Sequence, residues 1–127
     1  MNTPDDLRYS SDHEWIRSED GNRVRIGITD YAQDALGDVV FVELPAVGSQ
    51  VSAGASMSEV ESTKSVSDVY APIDGIVVEI NNDLVDAPER INEDPYGDGW
   101  LCVIELAEGV SVDELLDAAA YRALTEG

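Results

Sequence analysis

The sequence predicts a mainly β domain built of antiparallel strands, with helices as short flanking pieces. Three observations carry that expectation. Short strand-like runs are punctuated throughout by glycine, proline and asparagine, the residues that make tight turns. A polar stretch at 18–22, Ser-Glu-Asp-Gly-Asn, joins two such runs in the manner of a hairpin. Gly-Asp-Val-Val-Phe-Val from Gly37 is echoed 38 residues later by Gly-Ile-Val-Val-Glu-Ile from Gly75, as two similar β units would be. Related by a pseudo-two-fold, such units would leave the hairpin at their junction projecting.

The elements follow in order along the chain. Glu14–Arg17 and Arg23–Ile28 form the first hairpin. Thr29–Leu36 reads as a short helix, capped by Asp30 with Gln33 three residues on, and closed by Gly37. Strands are expected at Asp38–Glu43, Ala55–Glu61, Ser65–Tyr70, Gly75–Ile80 and Trp100–Leu106. Ser111–Leu124 reads as an amphipathic helix. Ser111 and Glu114 form its capping box, and Val112, Leu115, Leu116, Ala119 and Ala123 share a face. At 127 residues, a single domain is expected, with its core over about 7–106.

Charge excludes whole function classes. Seven basic against 27 acidic residues give a net charge of −20, which opposes nucleic-acid binding and docking on anionic membranes. The charge suits a soluble monomer that meets partners through their basic surfaces, and it equally suits simple solubility. No apolar stretch approaches the length of a membrane span. The start, Met-Asn-Thr-Pro-Asp-Asp, lacks a basic n-region and an apolar h-region and is too acidic for a transit peptide. The lone Cys102 sits in the run Leu-Cys-Val-Ile, as a buried small hydrophobe would. A cytoplasmic location is the expectation.

Catalytic and metal motifs are missing. His13 is the sole histidine, so no two-histidine metal site or relay can form, and beside Glu14 and Trp15 it reads as structural. The acidic stretch at 92–98 has Tyr96 and Val103 where a calcium loop needs acidic or amide ligands. Gly97-Asp-Gly99 lacks the third glycine of a dinucleotide fingerprint. Trp15 and Trp100 are expected in the core.

One residue stands apart. Lys64 is the only lysine; the other six cationic side chains are arginines. A guanidinium stays protonated, whereas an amine can be acylated. Lys64 falls between the expected strands ending at Glu61 and starting at Ser65, which puts it at an exposed hairpin tip. At neutral pH an ordinary amine is almost wholly protonated, and the acidic neighbours Glu61 and Asp68 do nothing to favour the neutral form. Lys64 therefore reads as a substrate for another enzyme's acylation, not as a nucleophile or general base.

The segment from Val60 to Gly75, Val-Glu-Ser-Thr-Lys-Ser-Val-Ser-Asp-Val-Tyr-Ala-Pro-Ile-Asp-Gly, resembles the lipoyl-attachment segment of the glycine cleavage system H proteins. The likeness runs from about Leu7 to Leu106. It takes in Ser-Asp-His-Glu-Trp at 11–15, Gly-Ile-Thr-Asp-Tyr-Ala-Gln-Asp-Ala-Leu-Gly-Asp at 27–38 and Asn-Glu-Asp-Pro-Tyr-Gly-Asp-Gly-Trp at 92–100. The resemblance implies a lipoyl/biotinyl-type hybrid barrel-sandwich, with lipoic acid in amide linkage on Lys64. It also implies that Glu61 and Gly75, three before and eleven after the lysine, help the lipoylating enzyme recognise its target. Many relatives have Val-Lys-Ala where this chain has Thr63-Lys64-Ser65; both changes are small and hydrophilic and leave attachment intact. A biotin carrier would place methionines on both sides of the lysine.

The same resemblance implies a non-catalytic shuttle. Its arm would accept an aminomethyl group at the pyridoxal-phosphate glycine decarboxylase (P-protein) and deliver it to the tetrahydrofolate-dependent aminomethyltransferase (T-protein). Dihydrolipoyl dehydrogenase (L-protein) would reoxidise it. The sulfurs belong to the cofactor, so a chain with one cysteine can serve redox chemistry. Two other readings stand beside this one: an H-like protein relaying lipoyl groups to 2-oxoacid dehydrogenases, and an unmodified acidic β interaction module.

Overall fold

The computed structural model describes residues 3–19 and 21–126. Met1, Asn2, Asp20 and Gly127 lie outside it, and with them one residue of the predicted hairpin turn and the ends of the predicted domain. Among the described residues nine strands and four helices follow one another: β1 (Arg8–Tyr9), β2 (Glu14–Ser18), β3 (Arg23–Ile28), α1 (Asp30–Leu36), β4 (Val39–Glu43), β5 (Gln50–Val51), β6 (Ser56–Ser62), β7 (Val66–Tyr70), β8 (Gly75–Ile80), α2 (Asp83–Asp86), α3 (Arg90–Glu93), β9 (Cys102–Leu106) and α4 (Ala118–Glu126). The mainly β class holds. Strands β1-β2-β3-β9-β8-β5 form one sheet and β4-β6-β7 a second, with antiparallel pairing throughout.

Strand alternation explains the core. On β4 and β6, Val42 and Val60 are cross-strand partners turned inward, and they meet Val69 of β7, Ile28 of β3, Leu84 of α2 and Ile91 of α3. A second cluster joins Ile16, Val24, Ile26, Val77, Cys102 and Ile104 across the larger sheet. Burial pushes the Cys102 thiol up to about 12, so it behaves as the inert hydrophobe expected. A third cluster, aromatic, ties the start of the chain to α4: Tyr9 stacks on Tyr121 with ring centroids 4.6 Å apart.

The echoed glycine-valine runs fall one in each sheet, on β4 and β8. Their glycines do different work. Gly37 has a left-handed φ of 83° and closes α1, whereas Gly75 is extended and packs its α-carbon against the Glu105 backbone carbonyl and Ile104.

Three expectations need correction. The helix cap is Thr29, extended at φ −74° and ψ 166°, whose Oγ1 accepts from the Ala32 amide. Asp30 is instead the first helical residue and accepts from Gln33 Nε2 at 2.8 Å. The last helix starts at Ala118, not Ser111. Residues 111–117 are pulled out of helix because Leu116 exchanges two backbone hydrogen bonds with Tyr9, of 2.8 and 2.9 Å, and Arg8 donates to the Leu115 carbonyl. Ser111 makes a local turn to the Asp113 amide, and Asp117 supplies the cap by accepting from the Ala120 amide. Trp100, finally, is only half-buried, with the Arg25 guanidinium 4.2 Å over its ring. Trp15 is buried as expected, and its indole N–H donates to the Pro95 carbonyl.

Trp15 lies flat across its strand partner Gly27, where an added methyl would come within 2.7 Å of the indole. Since the indole is pinned by its hydrogen bond, it cannot yield cheaply. Gly27→Ala should therefore lose about 1–3 kcal/mol, read as a lower urea midpoint with unchanged slope.

Candidate functional site

Lys64 sits at the tip of the β6–β7 hairpin, exposed. The strands close on the Glu61–Val66 pair, and Ser62 N–H donates to the Ser65 carbonyl at 2.8 Å, leaving Thr63 and Lys64 as a two-residue loop. Such loops favour residues with positive φ, yet neither Thr63 nor Lys64 has one. The Ser62 side chain compensates. Its buried hydroxyl accepts from the amides of Lys64 and Ser65, at 3.2 and 3.1 Å, and lies 3.1 Å from the Ser65 carbonyl, to which it donates.

The turn is also held from outside. Thr63 N–H donates to the Asp38 carbonyl at 3.0 Å, which joins the hairpin to the segment leaving α1. Asn92 fixes that segment: its Nδ2 donates to the Gly37 carbonyl and to Gln33 Oε1, and its Oδ1 accepts from the Val39 amide. Gly37 in turn makes room for the lysine. A methyl on its α-carbon would stand 2.7 Å from Lys64 Cε. The lysine stem thus lies across a bare backbone at the end of α1.

A cleft of about 260 Å³ opens beside this turn. Ser65 and Val66 form one lip, Ala32 and Leu36 of α1 another, and His13 and Glu14 stand at the start of β2. Glu14 is 2% exposed, and burial pushes its carboxyl up to about 7 against the stabilising hydrogen bonds from Ser10 and the Tyr70 amide. The Ser10 hydroxyl donates to Glu14 Oε1 at 2.6 Å. His13 adopts φ 71° and places Nδ1 2.7 Å from the Tyr121 hydroxyl, which lies 2.8 Å from Thr29 Oγ1; burial lowers the imidazole pKa. His13 is thus tied through the Tyr121 hydroxyl to Thr29 and also lines the cleft. Among the described residues no cluster of metal-ligating side chains occurs.

Of the residues singled out from sequence, Lys64 and Glu61 share the hairpin. Gly75 stands in the other sheet, paired with Val51 and Leu106. Sequence reasoning missed Ser62, Gly37 and Asn92 as supports of the lysine, and Glu14 as a buried acid. Signals existed for two of them. Gly37 ends a helix pattern just before a strand, and Glu14 interrupts an apolar strand start beside Trp15 and Ile16.

Residues 7–127 match the family described as glycine cleavage H-protein. The chain is 54% identical over 129 residues to a glycine cleavage system H protein of Nocardia farcinica, covering 98% of each. It is 56% identical over 130 residues to one of Mycobacterium tuberculosis, covering 97% of each. A crystal structure of a glycine cleavage system H protein from Mycobacterium marinum superposes with a TM-score of 0.87 at 48% identity, covering 98% of this chain and 99% of that one.

The buried acid predicts a pH dependence. Glu14 is protonated in both states below its ordinary value of 4.5; above it the unfolded chain ionises first, and stability falls until the folded group ionises near 7. Glu14→Gln removes this term. Between pH 5 and pH 8 the wild-type protein should lose about 2 kcal/mol relative to the variant, measured by urea denaturation of both.

Proposed function

The chain belongs to the glycine cleavage H-protein family, and on that premise we propose that Lys64 carries lipoic acid in amide linkage and serves as an aminomethyl shuttle. The family makes it a carrier subunit and not an enzyme, with the lipoyl-type barrel-sandwich fold. The observation that carries the attachment site is the hairpin itself: the only lysine of the chain, exposed, on a turn held from two sides. Among the described residues no carboxylate forms an ion pair with Lys64. Acylating it therefore breaks no salt bridge, and takes the net charge from −20 to −21.

The residues fit the cofactor. Gly37 leaves the lysine stem a flat passage, so that the arm starts from a fixed direction. The group, when attached, supplies the disulfide that takes up and releases the aminomethyl unit. The chain's part is to hold and present that arm: to the glycine decarboxylase (P-protein), then the aminomethyltransferase (T-protein), then dihydrolipoyl dehydrogenase (L-protein). Tethering keeps the local concentration of the arm's end high at whichever enzyme is docked. The neighbouring cleft supports a cationic load, since Glu14 and Asp68 offer carboxylates to an ammonium beside apolar Leu36 and Val66. We assign residues 1–127 to one carrier domain acting as a cytoplasmic monomer. Among the described residues no helix is long and apolar enough to cross a membrane.

Intact mass with peptide mapping over residues 55–75 tests attachment: one lipoyl group on Lys64 is expected. Lys64→Arg keeps the charge but cannot be acylated, and should abolish glycine-dependent decarboxylation; full activity of that variant would refute the shuttle.

We assign Glu61 and Gly75 to recognition by the lipoylating enzyme, by two routes. Glu61 is exposed on the hairpin and can be touched directly, whereas Gly75 is buried and can act only by keeping β8 close to β9. Glu61→Gln should slow lipoylation several-fold with an unchanged melting temperature. Gly75→Ala should slow it only together with a stability loss of about 1–3 kcal/mol.

A further inference from the structure

The outer face of the smaller sheet carries two rows of side chains. In the rung nearest the turn, Phe41 of β4, Glu61 of β6 and Val66 of β7 are successive cross-strand partners, all exposed. In the next outward-facing rung stand Glu43, Glu59 and Asp68. A β-bulge between Val39 and Phe41 adds to the first row. The extra residue, Val40, cannot turn into the core while Val39 and Val42 already do, so Val40 and Phe41 both face water, at 51% and 54% exposure. Val66, at 54%, stands on the opposite strand, two residues after Lys64.

An aromatic and two valines exposed together on one face mark an interaction surface, where the same residues scattered singly would not. Strand spacing puts Phe41 and Val66 roughly 10 Å apart, a span that one partner covers at once. The occupant follows from position and charge. A second copy of this chain would bring acidic row against acidic row within a net charge of −20. Enzymes that act at the far end of a long arm need not touch the turn. An enzyme that acylates Lys64 must bring its reacting centre to bonding distance of Nζ, and so must cover the rung directly below it.

We infer that Val40, Phe41 and Val66 form the docking platform for the enzyme that lipoylates Lys64, which meets them with an apolar patch bordered by basic side chains. This rests on the assignment of Lys64 as the lipoyl site. Phe41 is the anchor, the aromatic kind of residue on which such interfaces concentrate their energy. The acidic row orients the approach, and Glu61 lies at the centre of the footprint.

The test is lipoylation of the purified unmodified protein by a lipoate–protein ligase with lipoate and ATP, followed by intact mass. The variants are Phe41→Ser, Val40→Ser/Phe41→Ser and, as an exposed apolar control on a distant loop, Val47→Ser. The double variant should lose at least tenfold in kcat/KM, mostly through KM, with an unchanged melting temperature; Val47→Ser should match wild type. Rising salt should raise the wild-type KM. Given prolonged loading, the double variant should then support glycine decarboxylation at the wild-type rate. Equal kcat/KM for wild type and the double variant overturns the platform. So does normal loading followed by failed decarboxylation, which would assign the patch to the decarboxylase. Absence of any mass gain on wild type, by contrast, sinks the lipoyl assignment of Lys64 itself.

Discussion

The position of Lys64 depends on a short chain of hydrogen bonds that starts at Asn92. That one carboxamide holds the Gly37 carbonyl and the Val39 amide, so the chain leaving α1 has a single path into β4. The Asp38 carbonyl between them then receives the Thr63 amide, and the hairpin tip is fixed against a helix end. Within the hairpin, the Ser62 hydroxyl does for the turn what glycine or asparagine at positive φ does elsewhere. A glycine at the tip would add backbone freedom where the lysine needs direction. Using a buried serine one residue earlier leaves both loop positions free for ordinary side chains, and one of them is the lysine.

Much of this was readable from residues alone, and the failures share a cause. The strand positions were legible because the turn residues that bound them are local signals, but the inward faces were not: Val39 and Val42 both turn into the core only because a β-bulge separates them. Lys64 was legible because it is the only lysine and lies between two strand patterns. The helix over 111–117 failed because its capping box and apolar spacing are genuine local signals overruled from 107 residues away, where Tyr9 offers Leu116 a backbone partner. Thr29 and Asp30 are both good caps, and only the extended backbone of Thr29 chooses between them. Trp100 was expected in the core, but only part of it packs against the aromatic cluster, and the Arg25 guanidinium lies over its ring. Of the supports of Lys64, Gly37 was legible as a helix end but not as a neighbour of the lysine, and Asn92 gave no signal, because these residues meet through space and not through sequence.

Charge shows the same division between local and distant effects. A surface of net −20 makes it costly to bury yet another carboxylate, and Glu14 is nonetheless nearly inaccessible. Its hydrogen bonds from Ser10 and the Tyr70 amide do not offset the loss of water, which is why its carboxyl titrates near neutrality. Glu14 lies in the wall of the cleft whose lip is formed by the residues following Lys64.

Strand β7 therefore borders two surfaces. Its outward residues, Val66 and Asp68, belong to the two rows on the outer face of the sheet, while Val66 to Val69 also line the cleft at the sheet's edge. On the proposed lipoylation of Lys64, an enzyme seated on the outer rows would approach Nζ from one side of this strand, and an arm turned into the cleft would leave toward the other. The two uses would share one edge of the sheet but not one face. With the turn tied down by Ser62 and Asn92, a lipoyl arm on Lys64 would take its direction from rotation within the lysine side chain and its attachment. The glycine beneath the lysine stem then has a consistent role, because a side chain at Gly37 would displace the stem from the backbone at the end of α1, and with it the start of any arm that Lys64 carries.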